Sequence, residues 1–293
     1  MKTLPNEPQR RYNPLNDFLF HKVMGEKGSE PQLTSFLNAV LGASGRKPIE
    51  SIEIVENRTF VKNIMAGKSC SLDVIAVLDD GTIVNVEVQL LNERNMNRRT
   101  LFYWSKLYTK SLKKGQDYRD IPDVVTVNIV GFDYPPNERV HSVFHLREDS
   151  DLAAVLTPVM EIHFVNVLRW RQGKKDIAND PLHRWLAWLD PESPPELVEE
   201  AKIMDGAIMA ADRRHKFVMQ GDDARSIYEM QQKVEWDRIS QLSTARDEGW
   251  QAGRQEESER TVRNALAKGY TIGQIHDLTG LDMETIAGLQ TRQ

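Results

Sequence analysis

Cysteine is nearly absent from this chain of 293 residues, which contains Cys70 and no other. A single cysteine excludes an intramolecular disulfide and is typical of a protein in a reducing cytosol. Long hydrophobic runs are also missing, because no uncharged apolar stretch approaches the roughly 18 residues that cross a bilayer. The polar residues 1–11 contain no apolar segment and predict no secretory signal. The sequence therefore predicts a cytoplasmic protein that does not enter a membrane.

An overall excess of positive charge is missing as well. The formal net charge is −5, and this sum by itself argues against a protein that binds nucleic acid. The charge is unevenly distributed along the chain. The segment 91–119 contains eight basic residues and only two acidic ones. A local basic segment of this kind can hold a phosphate backbone.

Patterns of apolar residues divide the chain into a mixed α/β part and a helical part. Helical spacing occurs at 17–24, 31–41 and 97–114, and strand-like runs occur at 51–62, 123–132, 140–146 and 158–170. Further helices are predicted at 181–189, 194–221 and 223–243, and an exposed, glycine-interrupted helical linker follows from 245. This order predicts an α/β fold with a mixed central sheet flanked by helices and a helical C-terminal extension. We place the main domain at 10–240 and the linker and tail at 241–293.

A hairpin at 71–90 carries polar side chains inside apolar strands. Val84 and every second residue after it share one face of the second strand, whereas Asn85, Glu87 and Gln89 share the other. Asp73 lies next to a run of apolar residues that marks a buried strand. A buried strand does not carry carboxylates unless a positive partner offsets their desolvation. The apolar neighbours of Asp73 therefore argue against the alternative, a surface hairpin with solvated polar residues.

Two turns would join these strands in different registers. A two-residue turn at Asp80-Gly81 would set Asp73 opposite Val88, whereas a three-residue loop at 79–81 sets Asp73 opposite Glu87. The second loop requires a left-handed residue at its third position, where the chain has Gly81, so we predict that register.

The predicted register brings two carboxylates together. Residues that face each other across strands lie about 5 Å apart, and two carboxylates at that distance repel unless a cation lies between them. Asp73 and Glu87 therefore predict a site for a hard divalent cation, and Mg²⁺ is the first candidate. The alternative is a structural polar cluster.

An aspartate on one strand and Glu87-x-Gln89 on the next resemble the core motif of the PD-(D/E)XK nucleases. The segments 16–22 and 99–108 resemble those of the Rpn family of recombination-promoting nucleases, also described as PD-(D/E)XK transposases, and the resemblance covers about the first four fifths of the chain. The chain departs from the motif at Leu72, where the nucleases have proline, and at Gln89, where they have lysine. Rpn-type members are similar to this chain in having glutamine there.

The resemblance implies a restriction-endonuclease-like core and a metal-dependent DNA endonuclease that acts in recombination or mobile-element processes. It implies Mg²⁺, with Mn²⁺ or Ca²⁺ as alternatives, bound by Asp73, Glu87 and the main-chain carbonyl of Val88. Gln89 would hold the attacking water but cannot take its proton. A metal hydroxide, a second water or a substrate phosphate remains as the base. Asp17 is either an additional acid of the site or part of the N-cap of the first helix, where Asn16 or Asp17 would satisfy the free amides.

Cleavage of two strands by nucleases of this fold requires two active sites, so the resemblance also implies a homodimer or a higher homo-oligomer. The alternative function is a catalytically inactive DNA-binding or assembly protein that retains the nuclease fold. Glutamine at position 89 favours this alternative, whereas the two acids argue against it, because a buried acid pair without a function is costly.

The basic segment lies on the helix that follows the hairpin. Arg99, Tyr103, Lys106 and Lys110 are spaced so that they share one helical face, and we interpret them, with Arg98, as a DNA-binding surface. The alternative is a solvated basic face with Tyr103 half-buried.

The tail, 268–289, predicts two short helices and resembles a small helix-turn-helix. Its second helix carries Asp282 and Glu284, whereas a recognition helix presents arginine, asparagine or glutamine to base edges. We therefore favour a helical hairpin that packs on the body or on another subunit over one that contacts DNA.

Overall fold

A six-stranded mixed sheet organises the first part of the chain. The structure, a computed structural model, describes residues 11–55, 74–112, 115 and 117–290. The strands are β1 (Ile52–Ile54), β2 (Val74–Leu78), β3 (Ile83–Gln89), β4 (Val124–Val130), β5 (His141–Phe144) and β6 (Met160–Asn166). Their order across the sheet is β1-β2-β3-β4-β6-β5. The neighbours β3, β4 and β6 are parallel, and the remaining neighbours are antiparallel.

The described residues also form helices, which are joined to one another and to the strands by loops and short 3₁₀ turns. They are α1 (Asp17–Met24), α2 (Glu30–Leu41), α3 (Met96–Ser111), α4 (Val167–Gln172), α5 (Pro181–Leu189), α6 (Pro195–Met204), α7 (Gly206–Val218), α8 (Asp222–Ala267), α9 (Ile272–Thr279) and α10 (Met283–Gln290). The predicted α/β fold with a mixed central sheet and a helical C-terminal extension is confirmed. Across these ranges, no helix combines the length and the apolar character that crossing a membrane requires.

Both faces of the central strands are covered. All seven residues of β4 are buried, as expected for a parallel strand with helices on both sides. The main core lies on one face and combines inward side chains of β2, β3 and β4 with α1, α2 and α5. On the other face, Tyr103 and Leu107 of α3 pack against Ile75 and Val124. The indole nitrogen of Trp104 donates to the Val124 carbonyl over 2.9 Å.

The hairpin between β2 and β3 has the predicted register. Val74 pairs with Val86 and Val77 pairs with Ile83. The amide of Gly81 donates to the Leu78 carbonyl over 2.9 Å, and Gly81 adopts a φ of +85°. This left-handed conformation is costly for residues with a Cβ atom, so Gly81 fixes the three-residue loop. Asp73 lies outside the described residues.

Two predicted elements differ from the structure because polar side chains compete for the backbone. The predicted strand at 158–170 ends at Asn166, whose side chain accepts from the amide of Arg169 and begins α4. The predicted helix at 194–221 is two helices, since Asp205 is extended and its side chain accepts from the amide of Ala207. Of the predicted strand at 51–62, the described residues contain β1 alone.

The predicted linker is helical, as expected. The predicted break between the helix 223–243 and this linker is wrong. Residues 223–243 and the segment after them form one helix, α8. Glycine in a helix costs about 1 kcal/mol relative to alanine, so Gly249 and Gly253 are insufficient to interrupt a segment of strong helix formers. An ion pair between Glu259 and Arg263, four residues apart, supports the last turns of this helix.

The chain divides into two compact units, one ending at Gln231 and one beginning at Gln232. The second unit has a small core of Val262, Ile275, Ile286 and Leu289. Its two short terminal helices are those predicted from the sequence. The side chain of Asp282 accepts from the amide of Thr285 over 2.7 Å, which places this acid at the start of α10.

The beginning of α1 is held by residues from the far end of the first unit. The side-chain oxygen of Gln231 accepts from the amide of Phe18 over 3.1 Å. The hydroxyl of Tyr228 accepts from the amide of Asn13 over 3.0 Å. The side chain of Asn16 also accepts from the amide of Leu19, so local and distant groups cap this helix together.

Gly25 allows the end of α1 to lie directly on β2. A Cβ atom at Gly25 would lie 2.8 Å from Cγ2 of Val74 and 2.9 Å from Nδ1 of His21. Both distances are shorter than van der Waals contact, so any side chain here would force the helix away from the strand.

We predict that Gly25→Ala lowers the free energy of unfolding by about 1–3 kcal/mol because the new methyl group overpacks this contact. Urea denaturation measures the change. Gly42→Ala is the matched control, since Gly42 has a helical φ of −57° and nothing within 4 Å of its Cβ position. The control should be neutral or stabilising by up to about 1 kcal/mol. A Gly25→Ala variant as stable as the control would contradict the close packing.

Candidate active site

Glu87 is a carboxyl group buried in the middle of the sheet. It lies on β3 with 2% of its surface exposed, on the face that α3 covers. Its Oε1 accepts from the Asn85 side chain over 3.3 Å, and its Oε2 lies 3.6 Å from Nε of Arg99 on α3. The terminal nitrogen of Arg99 also lies 4.0 Å from Glu93. Arg99 is therefore placed between two acids, and Glu87 receives one long ion pair rather than a close one.

Burial raises the pKa of Glu87 to about 7. Arg99 and Asn85 act in the opposite direction but do not compensate for the desolvation, and the charge of Asp17 on α1 raises the pKa further. Asp17 is thus electrostatically coupled to Glu87. Asp17 on the first helix and Glu87 on the third strand, two of the four residues predicted to be catalytic, thus interact through their charges.

Glu161 is a second buried acid of the same sheet, and it has close partners for its carboxylate. Glu161 on β6 lies 2.7 Å from Nε2 of His163 and 2.6 Å from Nε of Arg46. Burial alone would raise its pKa, yet hydrogen bonds from His163, Ser44 and Arg46 hold the pKa of Glu161 at about 2. Protein groups therefore compensate the charge of Glu161, whereas they compensate the desolvation of Glu87 only in part, and a carboxyl with a raised pKa is typical of a functional site.

Polar side chains continue from Glu87 across the sheet. Asn85 and Glu87 pair with Thr126 and Asn128 of β4. The side-chain oxygens of Asn85, Thr126 and Asn128 are buried and have no hydrogen-bond partner among the described residues. Buried polar atoms are normally satisfied by protein, water or an ion. These oxygens and the Glu87 carboxylate are hard donors, which fit a hydrated divalent cation.

Gln89 is half-buried at the end of β3. Its side-chain nitrogen donates to the carbonyl of Leu91 over 2.9 Å. The amide is thereby held against its own main chain, next to Val88, which pairs with Ile129 of β4. Gln89 lies two residues after Glu87 on the same face of β3, and its neutral amide has no charge with which to replace a lysine.

The structure describes two of the three predicted metal ligands. Glu87 and Val88 lie on β3 as expected, and Asp73 lies outside the described residues. Among the residues that the structure describes, no group of three or more histidine, cysteine, aspartate or glutamate side chains is arranged to hold a metal ion. The pairing of Asp73 with Glu87 stays a prediction, supported by the register of Val74 with Val86.

The predicted DNA-binding residues divide between two faces of α3. Tyr103 is 4% exposed and packs in the core, with the guanidinium of Arg99 5.3 Å above its ring. Arg98 is exposed, whereas Lys106 and Lys110 are half-buried. The ammonium of Lys106 lies 5.3 Å from the ring centre of Phe102.

Sequence reasoning missed the outward side of this helix. Leu101 and Phe102 are each 46% exposed, so this side of the helix presents two large apolar side chains to solvent. The available signal was the spacing of Arg98, Phe102 and Lys106 at four-residue intervals, which places an aromatic ring between two cations on one face.

The chain was compared with protein families, curated proteins and solved structures. The family model described as PD-(D/E)XK nuclease family transposase matches residues 14–245, from the segment before α1 into α8. No curated protein matches the chain. No solved structure matches it.

We predict that Glu87 makes the protein less stable as the pH rises. Its folded pKa of about 7 lies above the ordinary value of 4.5, so the folded state holds the proton more tightly. The resulting stabilisation is complete below pH 4.5 and is lost as the pH rises through 7. The full difference amounts to about 3 kcal/mol.

Urea denaturation from pH 5 to pH 8 without divalent ions measures this effect. The stability of Glu87→Gln relative to wild type should increase with pH, because the amide carries no charge to desolvate. Glu53→Gln, an exposed acid on β1, is the control and should show a constant difference. A constant difference for Glu87→Gln as well would disprove the raised pKa.

Proposed function

The chain belongs to the PD-(D/E)XK nuclease family transposases, and we propose that it is a metal-dependent DNA endonuclease that hydrolyses phosphodiester bonds. The observation that carries the proposal is Glu87, a buried acid with a pKa of about 7 at the position of the motif's second carboxylate. The energetic cost of such a group indicates a function that requires it. Action in recombination or mobile-element processes rests on the family alone.

The metal would be held by Asp73, Glu87 and the main-chain carbonyl of Val88. The register of β2 with β3 supports this proposal, because continuing it by one residue would set Asp73 opposite Glu87, where the two carboxylates could share one cation. Mg²⁺ is our first choice because the donors are all oxygen atoms, with Mn²⁺ or Ca²⁺ as alternatives. When bound, the ion supplies positive charge that polarises the scissile phosphate and acidifies water.

The surrounding residues have separate tasks in this proposal. Arg99 keeps Glu87 oriented through their 3.6 Å contact and offsets part of its negative charge. Gln89 orients the attacking water by hydrogen bonding, since an amide can donate and accept but cannot take a proton at neutral pH. Asp17, coupled to Glu87 through its charge, adds a carboxylate at the edge of the site.

The outward face of α3 would bind the DNA. Arg98 and Lys106 present positive charge to phosphates, and Phe102 between them offers an aromatic surface to a base. Arg99 and Tyr103 lie on the inward side and would support this surface rather than contact the backbone of the DNA, and Lys110 extends it by one turn. A homodimer or higher homo-oligomer would place two such sites on the two strands.

Supercoiled-plasmid nicking with and without Mg²⁺ tests the activity. Wild type should nick the plasmid only with the metal, whereas Asp73→Asn and Glu87→Gln should lose at least about 100-fold of the rate, since each removes a ligand charge. Glu53→Gln should nick like wild type. Wild type that binds DNA without nicking it, and does not bind metal, would favour the inactive DNA-binding or assembly protein instead.

We predict that Arg98→Ala weakens DNA binding and reduces its dependence on salt. Each phosphate contact contributes about 0.9 to the slope of log affinity against log salt, so the slope should fall by about that amount. Fluorescence anisotropy over a salt series measures it. Arg119→Ala is the control, because Arg119 is exposed in the same basic segment but pairs with Asp117. Equal effects of the two variants would contradict a specific surface on α3.

A further inference from the structure

The outward face of α3 has an apolar centre between basic side chains. Its exposed residues are Asn97, Arg98, Leu101, Phe102, Ser105 and Thr109. Arg98 lies four residues before Phe102 and Lys106 four residues after it, so the three side chains follow one another along this face. The ring of Phe102 is therefore presented to solvent with a cation on either side of it.

The neighbours of Phe102 hold its ring in place. Tyr103 is buried on the inward side of α3, where it packs against Ile75 and Val124. The ring centres of Phe102 and Tyr103 are 5.6 Å apart and the ring planes meet at 68°, which is an edge-to-face contact. The ammonium of Lys106 lies 5.3 Å from the centre of the Phe102 ring. Because the exposed ring is anchored through a buried one, it loses little freedom when a partner binds.

The charge of α3 selects the kind of partner. The helix contains four basic residues and no acidic residue. Arg99 is directed inward to Glu87, whereas Arg98 and Lys106 accompany the exposed ring. A second copy of the chain on this face would set like charges against each other. The face therefore fits a polyanion.

Two observations favour DNA over an anionic membrane as this polyanion. A helix that lies in a membrane surface buries a wide apolar face in the lipid, whereas this face exposes only Leu101 and Phe102 as large apolar side chains. The same helix also covers the candidate catalytic acid, because Arg99 contacts Glu87 over 3.6 Å. A polyanion bound here lies on the element that borders the site of hydrolysis.

The polar groups of this face are not arranged to read a duplex. The hydroxyls of Ser105 and Thr109 donate to main-chain carbonyls of the helix, over 2.9 and 2.7 Å. The side-chain oxygen of Asn97 accepts from the amide of Arg98 over 2.8 Å. A helix that reads a groove presents such groups to base edges, and here they are engaged within α3.

An aromatic ring can stack only on a base whose face is free. In a duplex both faces of each base are covered by its neighbours, and exposing one costs unstacking energy that a single strand does not require. Stacking on aromatic side chains beside basic ones is the usual way in which proteins bind single strands, and it is tolerant of sequence because every base has such a face. The exposed ring of Phe102 thus matches an unpaired base.

We propose that the outward face of α3 binds single-stranded DNA, with an unpaired base stacked on Phe102 and the adjoining phosphates held by Arg98 and Lys106. Leu101, next to Phe102, widens the apolar surface under the base. This inference rests on the proposed nuclease function and narrows its substrate to DNA that contains an unpaired stretch.

Fluorescence anisotropy without divalent ions tests the proposal. Wild type should bind a dT oligonucleotide of about 16 nucleotides more tightly than a duplex of the same length. Phe102→Ala should weaken binding to the single strand about 5–150-fold, the range for loss of one stacked base, and leave the affinity for the duplex unchanged. Phe102→Trp should retain the single-strand affinity, whereas Phe102→Leu, which keeps an apolar side chain, should lose it. Equal wild-type affinity for the two DNAs, or a Phe102→Leu variant that binds like wild type, would overturn the proposal.

Phe144→Ala is the matched control. The Phe144 ring on β5 is 44% exposed and makes an edge-to-face contact with the buried Phe164, with ring centres 5.8 Å apart. It resembles Phe102 in exposure and anchoring, and its removal should change neither affinity. Arg98→Ala should weaken binding to both DNAs, since both carry phosphates. A loss of single-strand binding in Phe144→Ala, or an equal loss on both DNAs in Phe102→Ala, would contradict stacking on Phe102.

Photocrosslinking locates the contact directly. A dT oligonucleotide with one 5-iododeoxyuridine should crosslink to Phe102, as mapped by mass spectrometry, and crosslinks confined to residues outside α3 would overturn the proposal. Cosedimentation with phosphatidylglycerol vesicles tests the other polyanion. Vesicle binding that is tighter than single-strand binding and is lost in Phe102→Ala would assign this face to a membrane instead.

The outcomes separate this inference from the nuclease function. Metal-dependent nicking by wild type, together with a Phe102→Ala variant that binds single strands as tightly as wild type, would overturn the role of Phe102 and leave the nuclease function intact. Single-strand binding that depends on Phe102, in a wild type that does not cleave DNA with any divalent ion, would overturn the nuclease function and leave the binding surface of α3 intact.

Discussion

The desolvation of the Glu87 carboxyl is the interaction on which the arrangement of this site depends. A carboxyl inside a sheet is stable in its charged form only if positive charge or hydrogen bonds replace water. The chain provides Arg99 at 3.6 Å and Asn85 at 3.3 Å, which compensate only in part. The remaining cost raises the pKa of the Glu87 carboxyl, and the position of α3 lets Arg99 reduce that cost in part.

Two buried acids in one sheet illustrate how partners decide the role of a side chain. Glu161 is enclosed by Arg46 and His163 at close range and remains charged, so it stabilises the connection between β6 and the segment after α2. Glu87 has a longer contact and neighbours with unsatisfied oxygens, Asn85 and Asn128. The first arrangement is complete within the described residues, whereas in the second the described residues leave side-chain oxygens without a partner.

The sequence was informative where local geometry decides the structure. Gly81 at the third position of its loop determined the hairpin register, and the alternation around Glu87 identified the polar face of β3. The sequence was insufficient where contacts with residues far away in the chain decide the position of a side chain. The spacing of Arg99 and Tyr103 indicated a shared face, but only the position of α3 on the sheet shows that this face is turned inward.

Contacts between remote segments were beyond sequence reasoning for the same reason. A helix break at Asp205 depends on whether its side chain caps the next helix or faces solvent. The exposure of Phe102 depends on which side of α3 the sheet occupies. The proximity of His21 to Val74 depends on the absence of a side chain at Gly25, which in the sequence resembles an ordinary helix stop.

The capping of α1 by Gln231 also has a consequence for biosynthesis. The amide of Phe18 and the side chain of Gln231 are separated by 213 positions in the chain. A ribosome adds about 5–20 residues per second, so on the order of ten to forty seconds pass between the synthesis of the two partners. The helix that carries Asp17 is therefore fully capped only after the whole sheet has been made, and the nascent chain completes this edge of the site last.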